Sequence, residues 1–336
     1  MCTKEVVYVA GDIFQSIFDE TITPSISPDF LLSKCYRTDP KTLMFSHSLG
    51  MGLFEPRKLR WLDDKEWQTC GYIVEKSADQ SYYRLKREPL RRFEDIENAN
   101  LDCVNIMQSG DIASAILEVI DDISKKNPTI EPDDIGIILL DSSKDIYSLA
   151  DKLEQTIPQH TGWPVNKAYE SKSKIKDHIF ISNKNNVKGL EFPFVICITN
   201  RIRNSYSYRN ALYMTLTRSF LKSYLILSNA QEQAVLRQIR GGLGVINAHG
   251  YIEVQPPTAE EQAAIRTTIK HATAQGSYFD FLEAIFDDIG VLPLFRDKLR
   301  KAVTVTLGEE FDPEIVEEVA RFNYTAMLKS GHDEEI

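Results

Sequence analysis

Pro193-Phe194-Val195-Ile196-Cys197-Ile198-Thr199 (PFVICIT) holds five consecutive apolar side chains with no polar alternation. A strand with one face in water alternates apolar and polar residues, so this run predicts a strand buried on both faces. The same character returns in IGIILL (Ile135 to Leu140), HIFIS (His178 to Ser182) and SYLILS (Ser223 to Ser228). Between these runs the spacing turns helical: Ile112, Ile116, Val119, Ile120 and Ile123, then Ile146, Leu149, Ala150, Leu153 and Ile157, and later Ala211 to Ser219. Alternation of buried strands with amphipathic helices predicts an α/β fold, a mostly parallel sheet covered by helices on both faces.

Working outward, Trp61 to Phe93 changes character. GYIVEKS and SYYRLKREP alternate like a half-exposed hairpin, set among Trp61, Trp67 and a basic cluster of Arg84, Lys86, Arg87, Arg91 and Arg92. This predicts a small β excursion, at about residues 55–100, with the tryptophans as core anchors and the bases as a solvated face rather than a nucleic-acid contact. Downstream, Gly241-Gly242 and Gln255-Pro256-Pro257 read as breaks. Thr258 with Glu261 reads as a capping box, and Asp312-Pro313 as a helix start, so the tail is expected to be a bundle of about four helical segments.

The net charge of −10 is unevenly placed, since residues 251–336 carry 17 acidic against 8 basic residues. The first 250 residues are nearly neutral, which gives no average support for a basic groove and does not forbid a local one. No apolar run reaches the ~18 residues a membrane helix needs, and Met1-Cys2-Thr3-Lys4 leads into a strand pattern rather than a signal peptide, so a cytoplasmic location is expected. The five cysteines are scattered without a CxxC pair and read as reduced thiols, and the six histidines show no metal-ligand spacing.

Four stretches carry chemistry: GDIFQSIF (Gly11 to Phe18), LLSKCYRT (Leu31 to Thr38), NKNNVKGLEFPFV (Asn183 to Val195) and ALYMTLTRS (Ala211 to Ser219). In order and wording they resemble motifs III, IV, V and VI of the UvrD/Rep-type superfamily 1 DNA helicases. The resemblance spans about residues 6–228 and implies a RecA-like lobe, the C-terminal one of the two between which that family binds ATP with Mg2+. It implies that Arg218 is the arginine finger, Arg37 a second γ-phosphate arginine and Gln15 the amide that senses the γ-phosphate. Tyr36 then matches the adenine-stacking aromatic, Gly189 and Glu191 the nucleotide-contacting turn of KGLEF, and Asn183, Asn185 and Lys188 the part of motif V turned towards single-stranded DNA. Each residue has a plainer reading. An arginine at a helix end caps carbonyls, a tyrosine seals a core edge, Glu191 pairs with Lys188, and a glutamine satisfies a turn.

The sequence departs from the family in three ways. No GxxxxGK[ST] phosphate loop is present, and no Asp-Glu pair ends an apolar strand, so the Walker A and Walker B elements are missing. Where the family has Thr and His in motif V, this chain has Asn183 and Asn185, and after QSIF the family's aromatic-RGA is replaced by DETIT. The expected organisation is a remnant strand with motif III of the first lobe at 1–25, the second lobe at 26–250 and an acidic helical tail at 251–336. Alone, such a chain is expected not to hydrolyse ATP, and its expected partners are single-stranded DNA and a first lobe, or another protein, carrying the Walker motifs. The competing reading is a non-catalytic protein-interaction module that docks through the tail.

Overall fold

The computed structural model describes residue 35 and residues 38–79, 81–87, 104–141, 144–171, 173–265, 278–308 and 313–331. Two compact units are present, one formed by Leu32–Arg203 with Ala211–Thr258, the other including Asn204–Asn210 and Ala259–Ile336.

In the first unit the elements run α1 (Pro40–Met51), α2 (Asp64–Thr69), β1 (Ile73–Lys76), β2 (Tyr83–Lys86), β3 (Val104–Ser109), α3 (Ile112–Lys126), β4 (Ile135–Leu139) and α4 (Lys144–Thr161). They continue with β5 (Val165–Lys167), α5 (Ala168–Ser171), β6 (Ile179–Asn183), β7 (Phe192–Thr199), α6 (Tyr206–Leu216, in this unit from Ala211 on), β8 (Ser219–Ser228), α7 (Gln233–His249) and β9 (Tyr251–Val254). β3 to β8 form one sheet in the order β3-β8-β7-β4-β6-β5, every pairing parallel. The four apolar runs are its inner strands, as their patterning requires.

Both faces are covered. Ile116, Ile120 and Ile123 of α3 and Leu153 and Ile157 of α4 pack on Ile137, Ile181, Ile196 and Ile226 on one side. On the other, Ile138, Phe180, Phe192 and Val195 pack with Ala168 of α5, Val187 and Met214 of α6. Handedness explains the division: crossovers that step towards β5 lie on the first face and those that return towards β3 lie on the second. Phe192 owes its place to Gly136 on the neighbouring strand, because a Cβ there would meet its ring at 2.9 Å.

The basic excursion is the expected hairpin of β1 and β2, with β9 added to make a three-stranded antiparallel sheet. Trp67 is fully buried and meets Trp61 and Tyr72 edge to face, so it is a core anchor. The described bases of the cluster face partners in the fold: Arg84 pairs with Glu253, Lys86 with Glu75, and Arg87 donates to the Cys70 carbonyl above the Tyr72 ring. Arg91 and Arg92 lie outside the described residues.

One expectation fails here. Gly241-Gly242 does not break the chain but lies inside α7, where Gly242 admits the Phe54 ring against the helix backbone. The helix stops instead at Gly250, whose φ of 69° is the left-handed C-cap.

The second unit is helical where described: α8 (259–265), α9 (Tyr278–Asp288), α10 (Pro293–Leu307) and α11 (Pro313–Gly331). Its core includes Phe281, Leu282, Phe286, Leu299, Val303, Val316 and Ala320. Arg296 bridges Glu283 and Asp287, and Arg300 bridges Glu283 and Asp297. α11 begins with Pro at its first position, as read from Asp312-Pro313.

Candidate functional site

The sequence LTRS (Leu216 to Ser219) closes α6 and opens β8, and its side chains do the closing. A helix leaves its last four carbonyls without intrahelical donors. Here Thr217 Oγ1 donates to the Tyr213 carbonyl at 3.0 Å and to that of Met214 at 3.1 Å. Arg218 Nε donates to the Met214 carbonyl at 3.0 Å, its backbone N–H to Thr215 at 3.1 Å, and Ser223 Oγ to Leu216 at 2.8 Å. Arg218 is thereby held at 3% exposure with one N–H committed to the helix end.

This end of α6 joins two other stretches. The Phe192 N–H donates to the Arg218 carbonyl at 3.0 Å, and Phe192 is in register with Ser219. Glu191 and Arg218 therefore sit side by side where adjacent parallel strands begin. Thr38, next in the chain after Arg37, is buried and donates through Oγ1 to the Thr217 carbonyl at 3.3 Å. Beside it Asp39 caps α1, accepting from the Lys41 and Thr42 N–H groups. Within α1, His47 is buried, stacks on Tyr213 at 5.0 Å and hydrogen-bonds the Tyr72 hydroxyl. Burial first, and then the Arg87 charge, push its imidazole well below the ordinary histidine range. Gln15, Tyr36 and Arg37 lie outside the described residues.

The stretch Asn183 to Val195 is divided between the two ends of the sheet. Asn183 ends β6 level with Leu139 and, through it, with Ile198 near the end of β7. Glu191 precedes the start of β7, so at ~3.3 Å per residue the two lie about 20 Å apart along the strand direction. The chain crosses the sheet between them through a 3-10 turn at Lys184–Asn186 and the fully buried Val187. Lys188 and Gly189 are exposed, Gly189 at φ 85°, a left-handed turn that glycine adopts without strain. Asn183 caps the 3-10 turn by accepting from the Asn185 N–H at 3.1 Å and donates to the Tyr147 hydroxyl at 3.4 Å, while Asn185 is exposed.

The carboxyl ends of the strands hold a group absent from the sequence reading. Asp141, two residues past β4, is buried and accepts from Thr199 Oγ1 at 3.1 Å, the Asn200 N–H at 2.7 Å and Arg203 Nη2 at 2.9 Å. Its presence also helps burial raise the Cys197 thiol well above the ordinary value. The signal was available: an acid directly after the apolar run IGIILL stands at a strand's carboxyl end. Among the described residues no cluster of His, Cys, Asp or Glu could hold a metal ion, and no helix is long and apolar enough to cross a membrane.

With this geometry in hand, comparison with known proteins is specific in one segment. A solved structure, the C-terminal domain of a possible DNA helicase from Lactobacillus plantarum WCFS1, is similar at 16% identity over 46% of this chain and 93% of that one, with a TM-score of 0.33. No curated protein matches the chain. The family model of the UvrD-like helicase C-terminal domain matches residues 178–226. That segment runs from β6 into β8 and contains both Glu191 and Arg218, so over residues 178–226 this chain is similar to the UvrD-like helicase C-terminal domain.

Proposed function

We propose that the chain is the second RecA-like lobe of a superfamily 1 DNA helicase or translocase. In this reading it supplies Arg218, with Arg37 and Gln15, to an ATP site completed by a first lobe that carries the Walker motifs. The observation that carries the reading is the backbone hydrogen bond from Phe192 to Arg218, which sets Glu191 and Arg218 at neighbouring strand starts. The donor chemistry there suits a nucleotide: a planar guanidinium for phosphoryl oxygens and a carboxylate for ribose hydroxyls. Bound ATP with Mg2+ supplies the phosphoryl group that is transferred. This chain's part is to orient that group and to offset its charge when the two lobes close. Tyr36 and Gly189 belong to the same nucleotide-facing edge in this reading, and Asn183, Asn185 and Lys188 to the single-strand contact. The anchoring of Thr38 on Thr217 supports a place for motif IV beside motif VI.

The experiment is single-strand-stimulated ATPase measured after adding a first-lobe protein with Walker A and Walker B motifs. Wild type is expected to restore stimulation, and Arg218→Ala to abolish it with the thermal melt unchanged or modestly lowered. Stimulation untouched by Arg218→Ala refutes the reading. One observation favours a second reading, a non-catalytic interaction module: Arg218 is nearly buried and spends its Nε on a helix carbonyl, as a purely structural arginine does. That reading predicts loss of thermal stability on Arg218→Ala without effect on any ATPase, and a partner whose binding is lost when residues 251–336 are removed.

A further inference from the structure

The polar group around Asp141 stands where this sheet reverses its winding. The chain leaves β4 for α4, stepping towards β5 over the first face of the sheet, whereas it leaves the adjacent β7 for α6, stepping towards β3 over the second. Between two such neighbours the connections diverge and open a gap at the carboxyl ends, the place where open α/β sheets take their ligands. At this gap the loop after β7 is fixed on three sides. Asp141 holds Asn200 and Arg203, Ser228 Oγ donates to the Asn200 carbonyl at 2.9 Å, and the Ile202 N–H donates to Gln231 Oε1 at 2.7 Å. Arg203 is thus anchored at one nitrogen by a carboxylate whose side chain is 1% exposed, while its own side chain is 45% exposed.

The neighbours of this gap decide what it would take. Asn183 ends β6, the strand next to β4, level with Leu139, and Asp141 follows two residues later. One strand spacing and two residues separate the groups, about 5 Å and 7 Å respectively. An arginine held by a buried acid and two asparagines, one exposed, line one edge with donors for anionic oxygen rather than an apolar surface for a side chain. Resting on the reading under Proposed function, we infer that Arg203 is a phosphate contact for the single strand, and that Asp141 is the positioning residue that aims it. The strand would then run along the carboxyl edge from β6 to β7, on the opposite side of the sheet from Glu191 and Arg218.

The test is fluorescence anisotropy of a labelled oligothymidylate with the whole chain over a salt series. Each phosphate neutralised on a single strand contributes about 0.7 to the slope of log K against log salt. Arg203→Ala is expected to weaken binding several-fold and to lower that slope by about 0.7, whereas Arg203→Lys retains the slope. Asp141→Asn makes the chain less negative, so simple charge predicts tighter binding, while the positioning role predicts weaker binding with the slope lowered towards that of Arg203→Ala. Should Arg203→Ala fail to fold, Arg203→Gln serves as the neutral variant. Wild type that binds oligothymidylate with Arg203→Ala and Arg203→Gln indistinguishable from it overturns this inference alone. Tighter binding by Asp141→Asn overturns the positioning role. Wild type that does not bind at all overturns the single-strand reading on which the inference stands.

Discussion

Gly242→Ala is a substitution whose sign the sequence and the structure predict oppositely. In a helix interior, replacing glycine by alanine ordinarily gains about 1 kcal/mol, because the unfolded chain loses freedom it no longer has to surrender. In α7, however, a Cβ at Gly242 would lie 2.1 Å from Phe54 Cε1 and 2.2 Å from Cδ1. Carbon atoms settle at about 3.5–4.0 Å, so the ring or the helix must give by roughly 1.5 Å. Phe54 also sits 5.9 Å, centroid to centroid, from Phe45 of α1, so it cannot swing away without disturbing a second ring. Forced insertion of this kind costs about 1–3 kcal/mol, which leaves Gly242→Ala destabilising by about 1–2 kcal/mol at the upper half of that range. The same helix provides its own controls, since a Cβ at Gly241 or Gly244 has nothing within 4 Å. Gly241→Ala and Gly244→Ala should each stabilise by up to about 1 kcal/mol. Urea unfolding of the three variants, extrapolated linearly to water, measures the contrast. A double variant with Phe54→Leu should recover part of the Gly242→Ala loss through a favourable coupling. Gly242→Ala as stabilising as its neighbours would refute the close approach of Phe54 to the α7 backbone.

Three further outcomes follow from the same structure. Val187→Ala removes two methyl carbons from a fully buried position among Ile138, Phe180, Phe192 and Val195, and should cost about 2 kcal/mol in urea unfolding; a loss below ~0.5 kcal/mol would mean that the crossover is not packed there. His47 is neutral and buried in the fold with its pKa depressed, while the unfolded chain takes a proton near pH 6.5, so its contribution is intact above that pH and declines as pH falls through it towards the folded value. Stability measured between pH 7 and pH 5 should therefore fall by up to about 1.4 kcal/mol per pH unit from this group, and His47→Gln should flatten that part of the profile. Thr38→Val, which keeps the shape and removes the donor to the Thr217 carbonyl, should cost about 1 kcal/mol and, under the helicase reading, lower the stimulated ATPase more than Thr42→Val, a buried change elsewhere in the same segment.

The sequence disclosed the inner strands and withheld the edges, for one physical reason. β4, β6, β7 and β8 are enclosed by helices on both sides, so nearly every position is apolar and the run stands out. β3 (VNIMQS) lies at one rim of the sheet with Asn105 exposed, and β5 (VNK) at the other is three residues long with Asn166 buried on Ser171 and Ser173, so neither offers an apolar run. α1 escaped notice by the opposite route: ten of its twelve residues are buried, including Ser46, His47 and Ser48, so it has no polar stripe to set a period. At the candidate site the motif words located Glu191 and Arg218, since short-range wording survives in sequence. What the words could not give is distance. Eight residues separate Asn183 from Phe192 in the chain, a span that a reader takes as one loop, yet the register puts them at opposite ends of a strand. That separation follows from Val187, whose burial on the sheet draws the segment across the face instead of letting it fold back at one edge. A phosphate at the starts of β7 and β8 and a nucleic-acid strand at the ends of β4 and β6 would thus touch the same eight-residue crossover from its two sides. Any shift of Glu191 must either move Val187 within a close-packed cluster or be absorbed by Lys188 and Gly189, which are exposed and, at Gly189, already in a left-handed turn. Replacing Gly189 by alanine strains that left-handed turn at the nucleotide-facing end of the crossover and leaves the Asn183 end unchanged. Under the helicase reading it should therefore alter single-strand stimulation of ATPase while leaving oligothymidylate affinity in place, and equal loss of both would show that the turn belongs to the strand contact itself.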